Sequence, residues 1–366
     1  MRSRKPPDFA ILFCSLVLLC IGIIMVFSSS TVQAYYYYKD SLYFLKRQLI
    51  WALLGFIAMI YFSNYDYWNL KKYEKTIVFL MFALLVIVLI PGIGIVRNEA
   101  RRWIGMGSVT VQPSEIAKIG MIIYLACGLE RKQDKIKNFF VGILPFLIVM
   151  GAVCGLILVE PHLSATVLIG LVTIILLFVA GCKMSHLLSL GIAGLGAVIT
   201  LIFTEGYRMR RYLSFLDPWS DTQSGGYHII QSLYALGSGG LIGVGLGQSR
   251  QKFFYLPEPQ TDFIFAIIAE ELGFLGAAFV MALFMFLIWR CYKTAIMAPD
   301  LFGKFLATGL TTLIAIQFLI NIAVVTGSMP VTGMPLPFIS YGGSSLIITM
   351  TQIGILMNIS RYTEEN

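Results

Sequence analysis

Ten apolar runs, most of them close to the length that crosses a bilayer, leave this chain few alternatives. A helix needs about 20 mostly apolar residues to span the hydrocarbon core. Such runs fall at about 9–30, 48–64, 74–92, 113–129, 138–158, 163–181, 185–204, 263–289, 304–326 and 344–360. The 366 residues are 58% hydrophobic and 13% charged, against roughly a quarter charged in soluble domains. A transmembrane β-barrel would show short alternating segments instead of continuous apolar runs. The pattern predicts an all-α polytopic integral membrane protein, a single domain over 1–366 with about ten transmembrane helices.

The one long hydrophilic excursion, about 205–262, lies between runs 7 and 8. Placing both termini in the cytoplasm makes this loop extracellular. On the short segments, 15 basic residues then face inwards and 6 outwards, which agrees with the positive-inside rule. The expected location is the cytoplasmic membrane, crossed many times. Val32-Gln33-Ala34 resembles a signal-peptidase site, but the run before it exceeds a signal h-region, so it reads as an uncleaved span. The net charge of +8 is explained by orientation signals and anionic lipid. With no basic tract interleaved with aromatics on a soluble face, a nucleic-acid partner is not expected. The six cysteines form no CxxC pair, and His162, His186 and His228 lack metal-ligand spacing.

Four constellations carry chemistry. Asp262, at the mouth of run 8, is an ionisable group at membrane depth and is the candidate general base, because substrate and water reach it there. Of Glu270 and Glu271, deeper in the same run, one is expected to pair with a buried cation or the backbone. Glu115 and Lys118 share a helix face one turn inside run 4 and read either as a structural ion pair or, with Arg102, as contacts for an anionic substrate group. In the long loop, Arg208, Arg210 and Arg211 are either interfacial anchors or a cationic rim for a phosphorylated lipid. The run GSGGLIGVGLG at 237–247 lacks a preceding strand and a GK[ST] ending, so it reads as tight re-entrant or interfacial backbone, not a nucleotide loop. The stretch 330–345, broken by prolines and glycines, forms a wall of the site, and Ser340 and Ser344 offer hydroxyls to a sugar. Ser344 has neither a histidine base nor a nucleophile-elbow context.

The chain resembles the SEDS family (shape, elongation, division and sporulation) of membrane peptidoglycan glycosyltransferases. The motifs that carry this are RRWI at 101–104, PSEIAK at 113–118, GYHIIQSLYALGSGGLIGVGLGQS at 226–249, LPEPQTDFIFAIIAEELG at 256–273 and TGMPLPFISYGGSS at 332–345. The surroundings of Asp217-Pro218-Trp219 are closer to the FtsW and SpoVE branches than to RodA. The resemblance implies a lipid II substrate, an undecaprenyl pyrophosphate leaving group and a divalent cation, Mg²⁺ or Mn²⁺, at an unknown site. It also implies a class B penicillin-binding transpeptidase and other divisome or sporulation membrane proteins as partners. The family's essential aspartate falls on Asp262, its acidic–basic pair on Glu115 and Lys118, and its external basic residue on Arg102. Where the family often has Pro-Asp-Leu-Gly, this chain reads Pro161-His162-Leu163-Ser164, so that aspartate's role does not transfer.

Polymerisation joins a sugar hydroxyl to an anomeric carbon whose leaving group is already a pyrophosphate, so one general base suffices. The rival from another class is a lipid II flippase, which would use the same cavity and cations without an essential base. A scaffold that only recruits division enzymes is a third reading.

Overall fold

The computed structural model describes residues 5–97, 100–106, 109–220, 222 and 225–363. Arg2 and Arg4 of the basic N-terminus lie outside them. The ten apolar runs are all helical: α1 (Phe9–Tyr38), α2 (Tyr43–Asn64), α4 (Glu74–Leu89), α5 (Pro113–Arg131), α6 (Leu144–Val159), α7 (Leu163–Val179), α8 (Met184–Thr204), α11 (Ile264–Ile296), α12 (Leu301–Val325) and α13 (Gly343–Ser360). The short α3 (Trp68–Lys72) precedes α4, and a π-helical turn, Phe139–Ile143, leads into α6. Seven of these segments are long and apolar enough to cross a membrane, and the chain is an integral membrane protein. Local signals set several boundaries. Asp8 caps α1 by accepting from Ala10 and Ile11, Asp300 caps α12 through Gly303 N, and Pro113 opens α5.

Two expectations need amendment. The segment after α4 is not plain loop: β1 (Gly94–Arg97), β2 (Ala100–Met106) and β3 (Val109–Val111) form an antiparallel meander, with Ile95 opposite Trp103 and Ile104 opposite Val111. Runs of Val, Ile and Trp next to Gly favour strand where the chain leaves the hydrocarbon. The long loop is also largely ordered, with α9 (Gly206–Leu216), a 3₁₀ turn at Pro218–Ser220 and α10 (Gly225–Ser238).

The connections segregate to two ends of the bundle. One end holds both described chain ends and is stapled by side chains. Arg290 pairs with Asp8 and Arg131 with Glu74, Tyr67 hydroxyl donates to Asp300, and Asn358 Nδ2 donates to Ser63 O at 3.0 Å. The opposite end gathers the β-meander, the α6–α7 turn, the long loop and the segment 326–342. Between them α12 is the central pillar, with 78% of its apolar stretch buried, whereas α8 stands at the edge with 6%. Small residues allow the closest approaches, as where Gly55 and Gly354 bring α2 against α13.

The glycine run after α10 packs against α11. Val244 N and Gly245 N donate to Glu270 O and Glu271 O at 3.0 Å, while Phe274 N and Leu275 N donate to Gly240 O and Leu241 O at 2.9 and 3.1 Å. The two backbones approach so closely that a Cβ on Gly243 would overlap Glu271 O, and one on Gly273 would overlap Gly243 N. Gly273 itself leaves helical geometry (φ 69°, ψ −170°) and breaks α11. The buried carboxylates beside it are spent on this junction. Glu271 meets Lys252 Nζ at 3.3 Å and Ser28 Oγ at 2.7 Å, and Glu270 accepts from Arg250 N at 2.9 Å. Gly243→Ala adds both overlap and a strained φ of 87°, and should lower stability by about 2–4 kcal/mol. Gly194→Ala on α8, with nothing within 4 Å, should leave stability unchanged or slightly raised. Thermal unfolding of the purified variants in detergent checks both.

Candidate active site

Asp262 sits on the last loop residues before α11, and three contacts fix the backbone of residues 260–262. Asn321 Nδ2 on α12 donates to Asp262 O at 2.9 Å and to Met334 O at 2.9 Å, so it ties the Asp262 peptide to the proline-rich wall. Ser340 Oγ donates to Thr261 O at 2.6 Å and accepts from Leu336 N at 2.8 Å. Tyr341 N donates to Gln260 O at 2.8 Å. The carboxylate faces Gly333, where an added Cβ would lie 3.5 Å from Oδ2. Burial, reinforced by Glu258, lifts the Asp262 pKa to about 6 against the opposing pull of Arg211.

Opposite this wall, the starts of α5, α7 and α13 converge. Gln112 N donates to Ser344 Oγ at 3.4 Å, joining α5 to α13. His162 Nδ1 lies 3.3 Å from both Gln112 Nε2 and Ser114 Oγ, joining α5 to α7. Ser164 Oγ donates to Thr332 O at 2.7 Å and links α7 to the wall next to Gly333. Helix N-termini carry partial positive charge, so this meeting point favours anions. Lys118 adds a full charge within α5, paired with Glu115 at 2.7 Å, both side chains at most 6% exposed. Burial and the cations Arg102 and Lys118 push the His162 pKa down to about 3, so this imidazole is neutral.

The meander supplies Arg102. Alternation along β2 sends Arg101 and Arg102 to opposite faces. Arg101 Nη1 reaches back to Leu89 O at 3.0 Å, while Arg102 grips the α6–α7 turn through Glu160 O at 3.0 Å and Pro161 O. Of the loop arginines, Arg208 is buried and caps α8 through Leu201 O at 3.1 Å. Arg211, three residues on, lies over Tyr207 and donates to Val331 O at 3.4 Å, which brings its charge towards Asp262. Arg210 points outwards and is exposed.

The structure therefore brings Asp262, Arg102, Glu115, Lys118, Ser340 and Ser344 to one end of the bundle. It engages the Ser340 hydroxyl with backbone and turns Arg208 to α8. Asn321, Gln112, Ser114 and His162 complete the surroundings and were not singled out as site residues in the sequence, and Arg211 is the one of the three loop arginines that joins them. A lone Asn within the apolar run of α12, and an i, i+3 arginine pair beside a tyrosine, were the available signals. Among the described residues no three His, Cys, Asp or Glu side chains converge as a metal cluster would.

Comparisons with known proteins agree with this architecture. A family model described as cell cycle protein, covering FtsW, RodA and SpoVE, matches residues 9–365. Stage V sporulation protein E of Bacillus subtilis (strain 168) is 50% identical over 365 residues, 99% of this chain and 100% of that protein. A probable peptidoglycan glycosyltransferase FtsW of Geobacter sp. (strain M18) is 43% identical over 98% of both chains. Among solved structures, a chain of a peptidoglycan synthase complex that coordinates polymerization and crosslinking superposes with TM-score 0.80 at 27% identity, covering 97% of this chain and 98% of that one. The rod shape determining protein RodA of Thermus thermophilus superposes with TM-score 0.72 at 26% identity, covering 98% of each chain.

The Glu115–Lys118 pair makes a test independent of activity. Removing one partner leaves a buried charge unpaired, so Lys118→Met should cost about 3–5 kcal/mol, and Glu115→Gln with Lys118→Met together less than the sum of the two. Thermal unfolding of the singles and the double gives the coupling directly.

Proposed function

From the premise that this chain belongs to the FtsW/RodA/SpoVE family of cell cycle proteins, we propose that it polymerises lipid II into glycan strands, with Asp262 as general base. The observation that carries the reading is Asp262 itself: a carboxylate with its pKa lifted to about 6, its main chain clamped by Asn321, facing an end of the bundle rich in helix N-termini and cations. Such a group is ionised at neutral pH yet basic enough to take a proton from a sugar hydroxyl. Asp262 removes the proton from the 4-hydroxyl of the acceptor, whose oxygen forms the bond to the donor's anomeric carbon. The bond from that carbon to the pyrophosphate oxygen breaks, and its electron pair leaves with undecaprenyl pyrophosphate. Displacement inverts the anomeric centre and requires no enzyme nucleophile.

Charge accumulates on the departing pyrophosphate, and the α5–α7–α13 meeting point with Lys118 and Arg102 is where the protein is built to receive it. Ser344 and the polar wall contact the sugars. A divalent cation such as Mg²⁺ or Mn²⁺ finds no three-ligand cage among the described residues. Mg²⁺ often binds mainly through substrate phosphates, so the pyrophosphate would hold it here and the ion would supply charge neutralisation. The end of the bundle bearing the site faces outwards, with both termini in the cytoplasm. We further propose a class B penicillin-binding transpeptidase as partner, supported by the structural likeness to a chain from a peptidoglycan synthase complex. Other division or sporulation membrane proteins complete the assembly, for septal or spore wall synthesis.

Purified protein, with its transpeptidase and Mg²⁺ or Mn²⁺, should convert lipid II to glycan strands resolvable on a gel. Asp262→Asn should lower the rate by about 100-fold or more. Because the base must be ionised, the wild-type rate should rise with pH through about 6 and reach its full value near neutrality. Strands from Asp262→Asn at the wild-type rate would refute the role of the base. No strands from either protein would favour lipid translocation.

A further inference from the structure

Glu160, in the turn between α6 and α7, has a use that polymer chemistry does not require of it. The residue is 0% exposed, and neither carboxyl oxygen has a hydrogen-bond partner in the protein. Among the described residues it is the only carboxyl with both oxygens buried and unpartnered. An ionised carboxylate in that position would be very unfavourable, so the group is held as the neutral acid. Burial lifts its pKa to about 8, against the pull of Arg102.

Arg102 presents the complementary puzzle. Its guanidinium donates to the main-chain oxygens of Glu160 and Pro161, yet no carboxylate neutralises it among the described ion pairs. The groups facing this turn offer no other counter-ion. His162 lies in the turn itself and is neutral, Lys118 from α5 is committed to Glu115, and Tyr207 and Arg211 approach Arg102 from α9. A cation with no counter-charge and an acid with no partner thus sit side by side, joined through the acid's own carbonyl.

We propose that Glu160 is a positioning residue that sets whether Arg102 is available to the substrate: as the neutral acid it leaves the guanidinium open to an anionic pyrophosphate, and once ionised it captures that charge and closes the site. The inference rests on the reading that this site receives a lipid pyrophosphate. Glu160 itself touches no reacting atom. Its effect is on affinity, and it opposes Asp262 in pH: Asp262 needs to be ionised and Glu160 protonated, which confines full activity to the interval between about 6 and about 8.

The test is equilibrium binding of a fluorescent geranylgeranyl pyrophosphate to the purified full-length protein from pH 6.5 to 9.5. Wild type should lose affinity above about pH 8, approaching tenfold per pH unit as expected for release of one proton. Glu160→Gln, a fixed mimic of the neutral acid, should bind within about threefold of wild type at pH 7 and lose the alkaline decline; comparing the two cancels the probe's own titration. Arg102→Gln should weaken binding and also remove the Glu160-dependent decline. A decline that persists in Glu160→Gln, or a tenfold loss of its affinity at pH 7, overturns the proposal. A readout needing no variant is the infrared band of the protonated acid. Added probe should preserve that band to higher pH in the wild type, and indifference to the probe counts against the proposal. Absence of binding at every pH also overturns it, while the lipid II assay decides separately whether the polymerase reading stands.

Discussion

Irregular backbone at the end of a membrane bundle must find its hydrogen-bond partners inside the protein, and much of this site follows from how residues 326–342 do so. Prolines and glycines keep that segment out of helix, which frees polar main-chain groups where lipid offers nothing in exchange. Asn321, Ser164, Arg211 and Ser340 supply bonds to it, and Tyr341 N finds Gln260 O. Three of these also bind the 260–262 stretch directly, so the requirement that satisfies the wall also fixes the carboxylate. Asp262 is thereby held through its own main chain and that of Thr261.

The same economy explains why the buried charges differ in character. Lys118 and Glu115 neutralise each other on one helix face, and Lys252 and Glu271 do so across two segments. Each of those charges already has a counter-ion within the protein. Asp262 and Glu160 have no such partner, and it is their pKa values that are lifted into the range where cells operate. Groups that titrate near neutrality are the ones that can carry a proton or respond to one.

Much of this was legible from the chain. Apolar run length located all ten long helices, because a bilayer sets that length, and Asp262 stood out because a carboxylate at a span's mouth has few structural excuses. The Glu115–Lys118 pair followed from three-residue spacing alone. Of Glu270 and Glu271, the former took backbone and hydroxyl partners and the latter a buried lysine, as charge burial demands. Helical phase determined the fate of the arginines but could not be read without knowing which face α9 buries, so Arg211, not Arg210, turns towards the base. Glu160, His162 and Asn321 were hidden for another reason. Each acquires its meaning from partners far away in sequence, and a single polar residue among apolar ones does not announce where its neighbours come from.

The break at Gly273 has a mechanical consequence. A continuous helix of 33 residues would be about 50 Å long, well beyond the roughly 30 Å of a hydrocarbon core. The break divides it into a short lever of nine residues, 264–272, and a long shaft from 274 onwards. The lever is tied to the glycine run and to α1, and Asp262 lies two residues before its start. The glycine run also accepts from Phe274 N and Leu275 N of the shaft, so both sides of the break are fixed to one piece of backbone and the bend between them is set there. The direction in which the lever leaves the shaft, and with it the approach of the chain to Asp262, is therefore set by the glycine run.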